Sequence, residues 1–222
     1  MSSELMEVIA DDRYPQADLL LRQGKHLGTD GDASLYDFIH SNQDCLASYY
    51  RRYGVLLQSG PEGYFYLLPV SADRAPLGRR HLGLLDMLVG QTLALMMLDP
   101  QWLETNRRIP DLQVLASLEQ LLGTKQLLRY AGRKRGQNDE LDAQKLRESL
   151  AGTMKTLERL GFIKREGRGE SAVVIPLSPV MRFADPVRTS TDVTEDAMRR
   201  LIQEGQIDLL PDNRKNAAPV DD

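Results

Sequence analysis

Residues 139–177 of this chain read DELDAQKLRESLAGTMKTLERLGFIKREGRGESAVVIPL, and they carry the clearest fold signal in the sequence. The first part of this stretch predicts an amphipathic helix over residues 139–160, because apolar side chains recur at the spacing of one helical face. That apolar stripe consists of Leu146, Leu150, Met154, Leu157 and Leu160. Gly161 ends the helix, and short apolar runs on either side of Gly167 and Gly169 then predict a β-hairpin. A helix followed directly by a hairpin is typical of the recognition helix and wing of a winged-helix domain.

The same order of elements is predicted nearer the N-terminus. Three short helices begin there at Ala17, Leu35 and Ser41, with Ser41 as the N-cap of the third helix. The third helix carries Leu46, Tyr49, Tyr50 and Tyr53 at helical spacing. Two strands then flank the turn-rich sequence SGPEG at residues 59–63. The repeated order predicts a mainly α, α+β fold built from tandem winged-helix domains.

These patterns divide the chain into six predicted segments. They are an N-terminal arm (1–16), a first winged-helix domain (17–70), a linker (71–78), a second winged-helix domain (79–184), a C-terminal helical segment (185–205) and a disordered tail (206–222). The helix predicted over residues 79–98 is apolar on nearly every face. One small domain cannot cover so much apolar surface. Large exposed apolar patches usually mark interfaces, so this helix predicts a two-fold symmetric homodimer.

Composition and motifs exclude several classes of protein. No apolar run approaches the roughly 20 residues that a membrane span needs, and the N-terminus has no signal-peptide pattern. The single cysteine, Cys45, cannot form an internal disulfide, so the chain is expected to be cytoplasmic. The three histidines lack metal-ligand spacing, and neither a phosphate-binding loop nor a nucleophile elbow is present. We therefore expect no catalytic residue, no metal and no cofactor, and a protein that is not an enzyme.

Charge is distributed unevenly along the chain, whose net charge is −4. Residues 1–70 carry five basic and ten acidic side chains, whereas residues 124–170 carry twelve basic and seven acidic ones. The recognition helix and wing of the second domain could therefore follow a phosphate backbone. The candidate DNA-binding residues are Lys145, Lys155, Arg159, Lys164, Arg165 and Arg168. The alternative is an ordinary solvated face, because glutamates such as Glu148 and Glu158 lie among these cations.

Seven short sequences carry a resemblance to a known family. They are LRQGKHLG (21–28), YRRYGVLL (50–57), PEGYFYLLP (61–69), LLDMLVG (84–90), DAQKL (142–146), FAD (183–185) and RRLI (199–202). In this order, over residues 17–210, they resemble MukE and its MksE relatives, the small non-kleisin subunits of MukB-type bacterial condensins. The short, mildly acidic tail departs from the longer acidic extension of many MukE proteins, which leaves the choice between MukE and MksE open.

The resemblance implies a non-catalytic subunit of the kite type, a homodimer of tandem winged-helix chains. Such a dimer holds a kleisin (MukF- or MksF-like), sits against the ATPase heads of a MukB- or MksB-like partner, and helps to clamp double-stranded DNA without sequence preference. The protein would then be associated with the nucleoid, in chromosome condensation and segregation or, for the MksE type, in plasmid defence.

Two questions stay open at this level. The aromatic hairpin, with Tyr64 and Tyr66, and the apolar helix 79–98 are weak candidates for kleisin contact, but core and dimer packing explains most of these residues better. A different function, that of a stand-alone winged-helix transcription regulator, would require binding to a defined operator sequence.

Overall fold

A computed structural model describes residues 3–71, 76–77, 82–132, 139–167 and 169–184. The first half contains helices α1 (Ser3–Ala10), α2 (Tyr14–Arg22), α3 (Ala33–Ser41) and α4 (Gln43–Arg51) and strands β1 (Leu27–Gly28), β2 (Val55–Gly60) and β3 (Tyr64–Pro69). The second half contains helices α5 (Leu84–Leu98), α6 (Pro100–Leu103), α7 (Asp111–Leu122), α8 (Thr124–Tyr130) and α9 (Asp139–Arg159), strands β4 (Ile109–Pro110), β5 (Ile163–Glu166) and β6 (Val173–Pro176), and two 3₁₀ helices (Gly169–Ser171 and Ser178–Ala184).

Both halves build the same small antiparallel sheet. The strand order is β1-β3-β2 in the first half and β4-β6-β5 in the second. In each sheet, the short first strand pairs with the last strand of the hairpin. The helix directly before the hairpin is α4 in the first half and α9 in the second. This repeated topology is that of two winged-helix units, and the predicted α+β fold class is confirmed.

Each half has its own apolar core. The first core forms around Phe38, Ile39 and Leu46, and the second around Leu93, Met154 and Leu157. All five residues of the apolar stripe on α9 are buried. The 3.6-residue period of that stripe therefore predicted correctly which face of the helix packs inward.

The N-terminal segment differs from the predicted arm. Residues 3–10 form α1, which packs on α2 and α4 and buries Leu5 and Val8. These two side chains are three residues apart and so share one helical face. Five of the eight residues of α1 are apolar, so the sequence carried this signal although the segment was predicted to be an arm.

The start of the third helix also differs from the prediction. Ser41 is the last residue of α3, and α4 begins at Gln43. The Asn42 side chain between them donates to the carbonyl of Phe38 at 2.8 Å, and so satisfies the end of α3 rather than capping α4. The predicted helix over residues 191–204 and the predicted tail lie outside the described residues.

A polar junction joins the two winged-helix domains. Asp30, between β1 and α3, accepts hydrogen bonds from the backbone N–H of Ser178 at 2.6 Å and from its hydroxyl at 2.9 Å. The backbone N–H of His26 donates to the carbonyl of Leu160 at 2.8 Å. Gly161 has a φ of +79°, and a side chain there would collide with the His26 carbonyl, so this close approach requires glycine.

Candidate nucleic-acid interface

Helix α9 stands at the recognition position of the second winged helix and presents a polar face to solvent. Along that face lie the exposed residues Gln144, Glu148, Gly152, Lys155 and Arg159. Lys155 and Arg159 are one helical turn apart, and neither forms an ion pair with any described residue. Two unpaired cations at this spacing can contact successive phosphates of a nucleic-acid backbone.

The wing contributes Lys164, whose charge is shared with neighbouring groups. Its Nζ lies 3.3 Å from Oε1 of Glu166, and the other oxygen of that carboxylate pairs with Arg108. The hydrogen bond from Lys164 is the largest cause of the lowered pKa of Glu166, so that carboxylate stays ionised. Lys164 is nevertheless exposed and adjoins the C-terminal end of α9, where it extends the same surface.

Two predicted contacts, Lys145 and Arg165, are held within the fold. Lys145 Nζ lies 2.9 Å from Oδ1 of Asp142, whose side chain is only 2% exposed. The Arg165 guanidinium lies 3.1 Å from Oδ2 of Asp111, and its backbone N–H donates to Glu158. A buried carboxylate needs a charged or hydrogen-bonding partner. Lys145 and Arg165 therefore act mainly as the ion-pair partners of Asp142 and Asp111 within the fold. Arg168 lies outside the described residues.

The aromatic hairpin points mainly into the protein. Tyr64 is 1% exposed, and its ring covers Gly60 on the neighbouring strand, so it is a core residue with no surface to offer a partner. Tyr66 is half-buried at the domain junction, where its ring stacks on His26 with centroids 5.1 Å apart. The guanidinium of Arg182 lies 3.9 Å from the centre of the Tyr66 ring. Tyr66 therefore helps to join the two domains.

A groove of about 450 Å³ lies beside this junction. Its charged lining is mixed, with Lys25 and Lys164 opposed by carboxylates that include Asp30 and Glu158. Because its charges are mixed, this groove is not a continuation of the cationic surface on α9. Among the residues that the structure describes, no group of three or more His, Cys, Asp and Glu side chains could hold a metal ion.

Sequence reasoning missed a second cluster, on the first domain. The Tyr49 ring contacts the rings of Tyr14 and Tyr53, and the Arg22 guanidinium lies over the Tyr53 ring. Tyr53 is exposed, Tyr14 and Tyr49 are half-buried against the first core, and Tyr50 is buried. The tyrosine spacing was visible in the sequence as a single helical face. Tyr50 follows Tyr49 directly and so lies about 100° further around the helix. This angle is the signal in the sequence that distinguishes the buried tyrosine from its neighbour.

Comparison with known proteins gives a consistent result. A family model described as the MukE-like family matches residues 1–222. The chain is 36% identical over 206 residues to the chromosome partition protein MukE of Histophilus somni, covering 93% of this chain and 81% of that protein. It is 34% identical over 206 residues to the protein of that name from Escherichia coli K12, covering 93% and 86%. It is 33% identical over 237 aligned positions to the one from Haemophilus influenzae, covering 100% and 94%.

Within the part of the chain that the structure describes, no helix combines the length and the hydropathy needed to cross a bilayer.

Proposed function

The chain belongs to the MukE-like family, and on that premise we propose that it is a non-catalytic subunit of a condensin complex that partitions the chromosome. In this proposal the subunit forms a homodimer, binds a MukF-like kleisin and lies near the ATPase heads of a MukB-like partner. It helps to clamp double-stranded DNA without sequence preference. The relatives named above are chromosome partition proteins, which favours segregation over plasmid defence.

One observation carries the DNA-binding part of the proposal. The recognition helix α9 exposes Lys155 and Arg159 one turn apart, with Lys164 on the adjoining wing. The second domain also has an excess of basic over acidic residues, although the whole chain has a net charge of −4. Contacts of this kind bind phosphates and carry no base-specific information, which suits a subunit that acts at many chromosomal positions.

The homodimer is proposed from helix α5. Its exposed and half-buried face consists of Leu84, Leu88, Gln91, Leu95 and Leu98, spaced by four, three, four and three residues. No charged residue lies on α5 after Asp86, so nothing electrostatic opposes pairing of two identical faces. Gln91 carries both a donor and an acceptor, so two copies can hydrogen-bond reciprocally near a two-fold axis.

The DNA-binding proposal is tested with a charge-reversed α9. Changing Lys155 and Arg159 to Glu replaces attraction by repulsion, and we expect duplex binding to be lost. If only contacts are removed, with alanine at both positions, the slope of log K against log salt should fall by about two units. Labelled duplexes titrated at two salt concentrations give both quantities.

The matched control is the pair Lys125→Glu and Arg129→Glu. These exposed cations are also one turn apart in the second domain, but on α8. Wild-type DNA affinity in the α9 variant, or equal losses in both variants, would count against a DNA surface on α9. Strong preference of the wild-type protein for one operator sequence would instead favour a transcription regulator.

A further inference from the structure

The C-terminal end of α9 and the start of the wing form an exposed surface with two unpaired cations. We define this α9–wing surface as Lys155, Arg159 and Lys164. Lys155 and Arg159 are exposed and form no ion pair with any described residue. The Lys164 side chain is 63% exposed and shares the Glu166 carboxylate with Arg108.

The neighbouring carboxylate on α9 is directed elsewhere. Glu158 is half-buried, and its Oε1 accepts the backbone N–H of Arg165 at 3.1 Å. On the far side of the helix turn, Gly152 offers no side chain at all. Lys155 and Arg159 are therefore available to an anionic group that approaches from solvent.

The described chain ends close to this surface. The Phe183 ring packs on the Phe162 ring with centroids 4.8 Å apart, and Ala184 is the last described residue. Phe162 lies in the turn between α9 and β5, three residues after Arg159 and two before Lys164. The chain beyond Ala184 therefore starts beside the turn that joins the two parts of the α9–wing surface.

The sequence beyond Ala184 contains a segment of opposite charge. Residues 201–213 read LIQEGQIDLLPDN and carry no basic side chain. Their three acidic residues recur at every fourth position, at Glu204, Asp208 and Asp212. The connection, residues 185–200, can extend to about 50 Å. This reach exceeds the length of α9, which is about 30 Å for its 21 residues.

The charge of the two domains selects where such a segment binds. Residues 1–70 carry five basic and ten acidic side chains and would repel it, whereas residues 124–170 carry twelve basic and seven acidic ones. Exposed ion pairs are individually weak. A tether of this length nevertheless holds the segment at an effective concentration on the order of millimolar, so weak pairs suffice for partial occupancy.

We propose that residues 204–212 bind the α9–wing surface of the same chain and occupy the phosphate positions until nucleic acid displaces them. The inference rests on the proposed function for the competing nucleic acid, whereas the contact within the chain does not depend on it. Because the ion pairs are exposed and screened by salt, the segment weakens DNA binding without abolishing it.

Carbodiimide cross-linking tests the contact without DNA. The reagent activates a carboxyl group, a lysine amine close to it forms an amide, and the reagent leaves as a urea. At low salt we expect peptide mass spectrometry to find Lys155 and Lys164 joined to the acidic residues of 204–212. Lys125, exposed on α8, is the internal comparison and should be joined rarely. An equal mixture of ¹⁴N- and ¹⁵N-labelled chains should give cross-links within one label.

A charge-neutralised segment tests the competition. The full-length variant with Glu204→Gln, Asp208→Asn and Asp212→Asn should bind duplex DNA at least about threefold more tightly at low salt, and equally at high salt. The matched control removes the same charge from exposed positions of the first domain, with Asn at Asp12, Asp37 and Asp44. This control should keep wild-type affinity. Circular dichroism melting confirms that each variant is folded.

The two readouts distinguish failure of the inference from failure of the proposed function. Cross-links that are absent at Lys155 and Lys164, as frequent at Lys125, or formed between different labels overturn the inference. Unchanged DNA affinity in the neutralised segment, or an equal gain in the control, also overturns it. If the cross-links form but neither wild type nor variant binds DNA, the DNA-binding function fails and the contact within the chain stands.

Discussion

At the scale of single residues, His26 is the clearest case of a side chain whose chemistry is set by its surroundings. Its Nε2 lies 2.9 Å from Nη1 of Arg182, and arginine can only donate, so Nε2 must accept. The ring proton is therefore on Nδ1, which donates to the Leu160 carbonyl at 3.1 Å. Burial, followed by the nearby Arg182 charge, lowers the pKa of His26 well below its ordinary value, so the folded protein keeps this ring neutral.

This pKa shift predicts that acid destabilises the protein. The unfolded chain takes up a proton on His26 below about pH 6.5, whereas the folded chain does not, so stability falls as the pH drops below 6.5. His26→Gln should remove this component of the pH dependence. It should also lower stability at pH 8 by about 1–3 kcal/mol, because buried hydrogen bonds are lost.

Urea unfolding of both proteins at pH 8.0, 6.5 and 5.5 measures the two effects. Comparing the two proteins at the same three pH values isolates the contribution of His26. Identical slopes of stability against pH in wild type and His26→Gln would show that His26 is not the group responsible.

At the scale of elements, helix α5 has two apolar faces with different neighbours. One face packs on α7, α9 and the 3₁₀ helix Ser178–Ala184, where the Phe183 ring fills the space above Gly90. The other face, with Leu95 at 62% exposure, contacts solvent in the single chain. An amphipathic helix would expose polar residues there, so the second face is a candidate for burial in an assembly.

The dimer proposal predicts that Leu95→Glu produces a monomer. The glutamate of each copy would be buried in the apolar interface beside the two-fold axis, where an unpaired charge is strongly unfavourable. Light scattering at micromolar concentration measures the mass directly. Leu121→Glu provides the comparison, because Leu121 is 68% exposed on α7 and lies outside the α5 face. Dimers in both variants would place the interface elsewhere, and a monomeric wild type would remove the proposed dimer itself.

At the scale of the whole molecule, the junction makes the two winged-helix domains one structural unit. Asp30 binds Ser178 through both carboxylate oxygens, and the His26, Tyr66 and Arg182 side chains stack beside it. A further contact joins the rings of His26 and Phe162, with centroids 4.3 Å apart. These contacts fix the positions of the two domains relative to each other.

This coupling predicts a single unfolding transition for the wild-type chain. Asp30→Ala removes both hydrogen bonds to Ser178 and should lower stability by about 1–3 kcal/mol, with broadening or splitting of the transition as the domains uncouple. Scanning calorimetry records both features. Asp37→Ala, an exposed position on α3 in the same domain, should have little effect. An unchanged transition in Asp30→Ala would mean that the apolar contacts alone hold the junction.

Local sequence patterns predicted α9 and the hairpins of both domains, because hydrophobic period and turn residues act over short distances. The same patterns did not predict α1 or the start of α4. The apolar residues from Leu146 to Leu160 recur at the spacing of one helical face, and this face is buried. The same period predicts which residues of α9 face solvent. The family signature also lies in the order of short segments along the chain. For these reasons Lys155 and Arg159 could be placed on an exposed face without coordinates.

Tertiary structure alone decided which charged and aromatic residues are available. Arg165 is tied to Asp111, 54 positions earlier, and His26 to Leu160, 134 positions later. No local pattern encodes such pairs, because they depend on how separate elements pack. The same packing buried Tyr64 and left Tyr53 exposed.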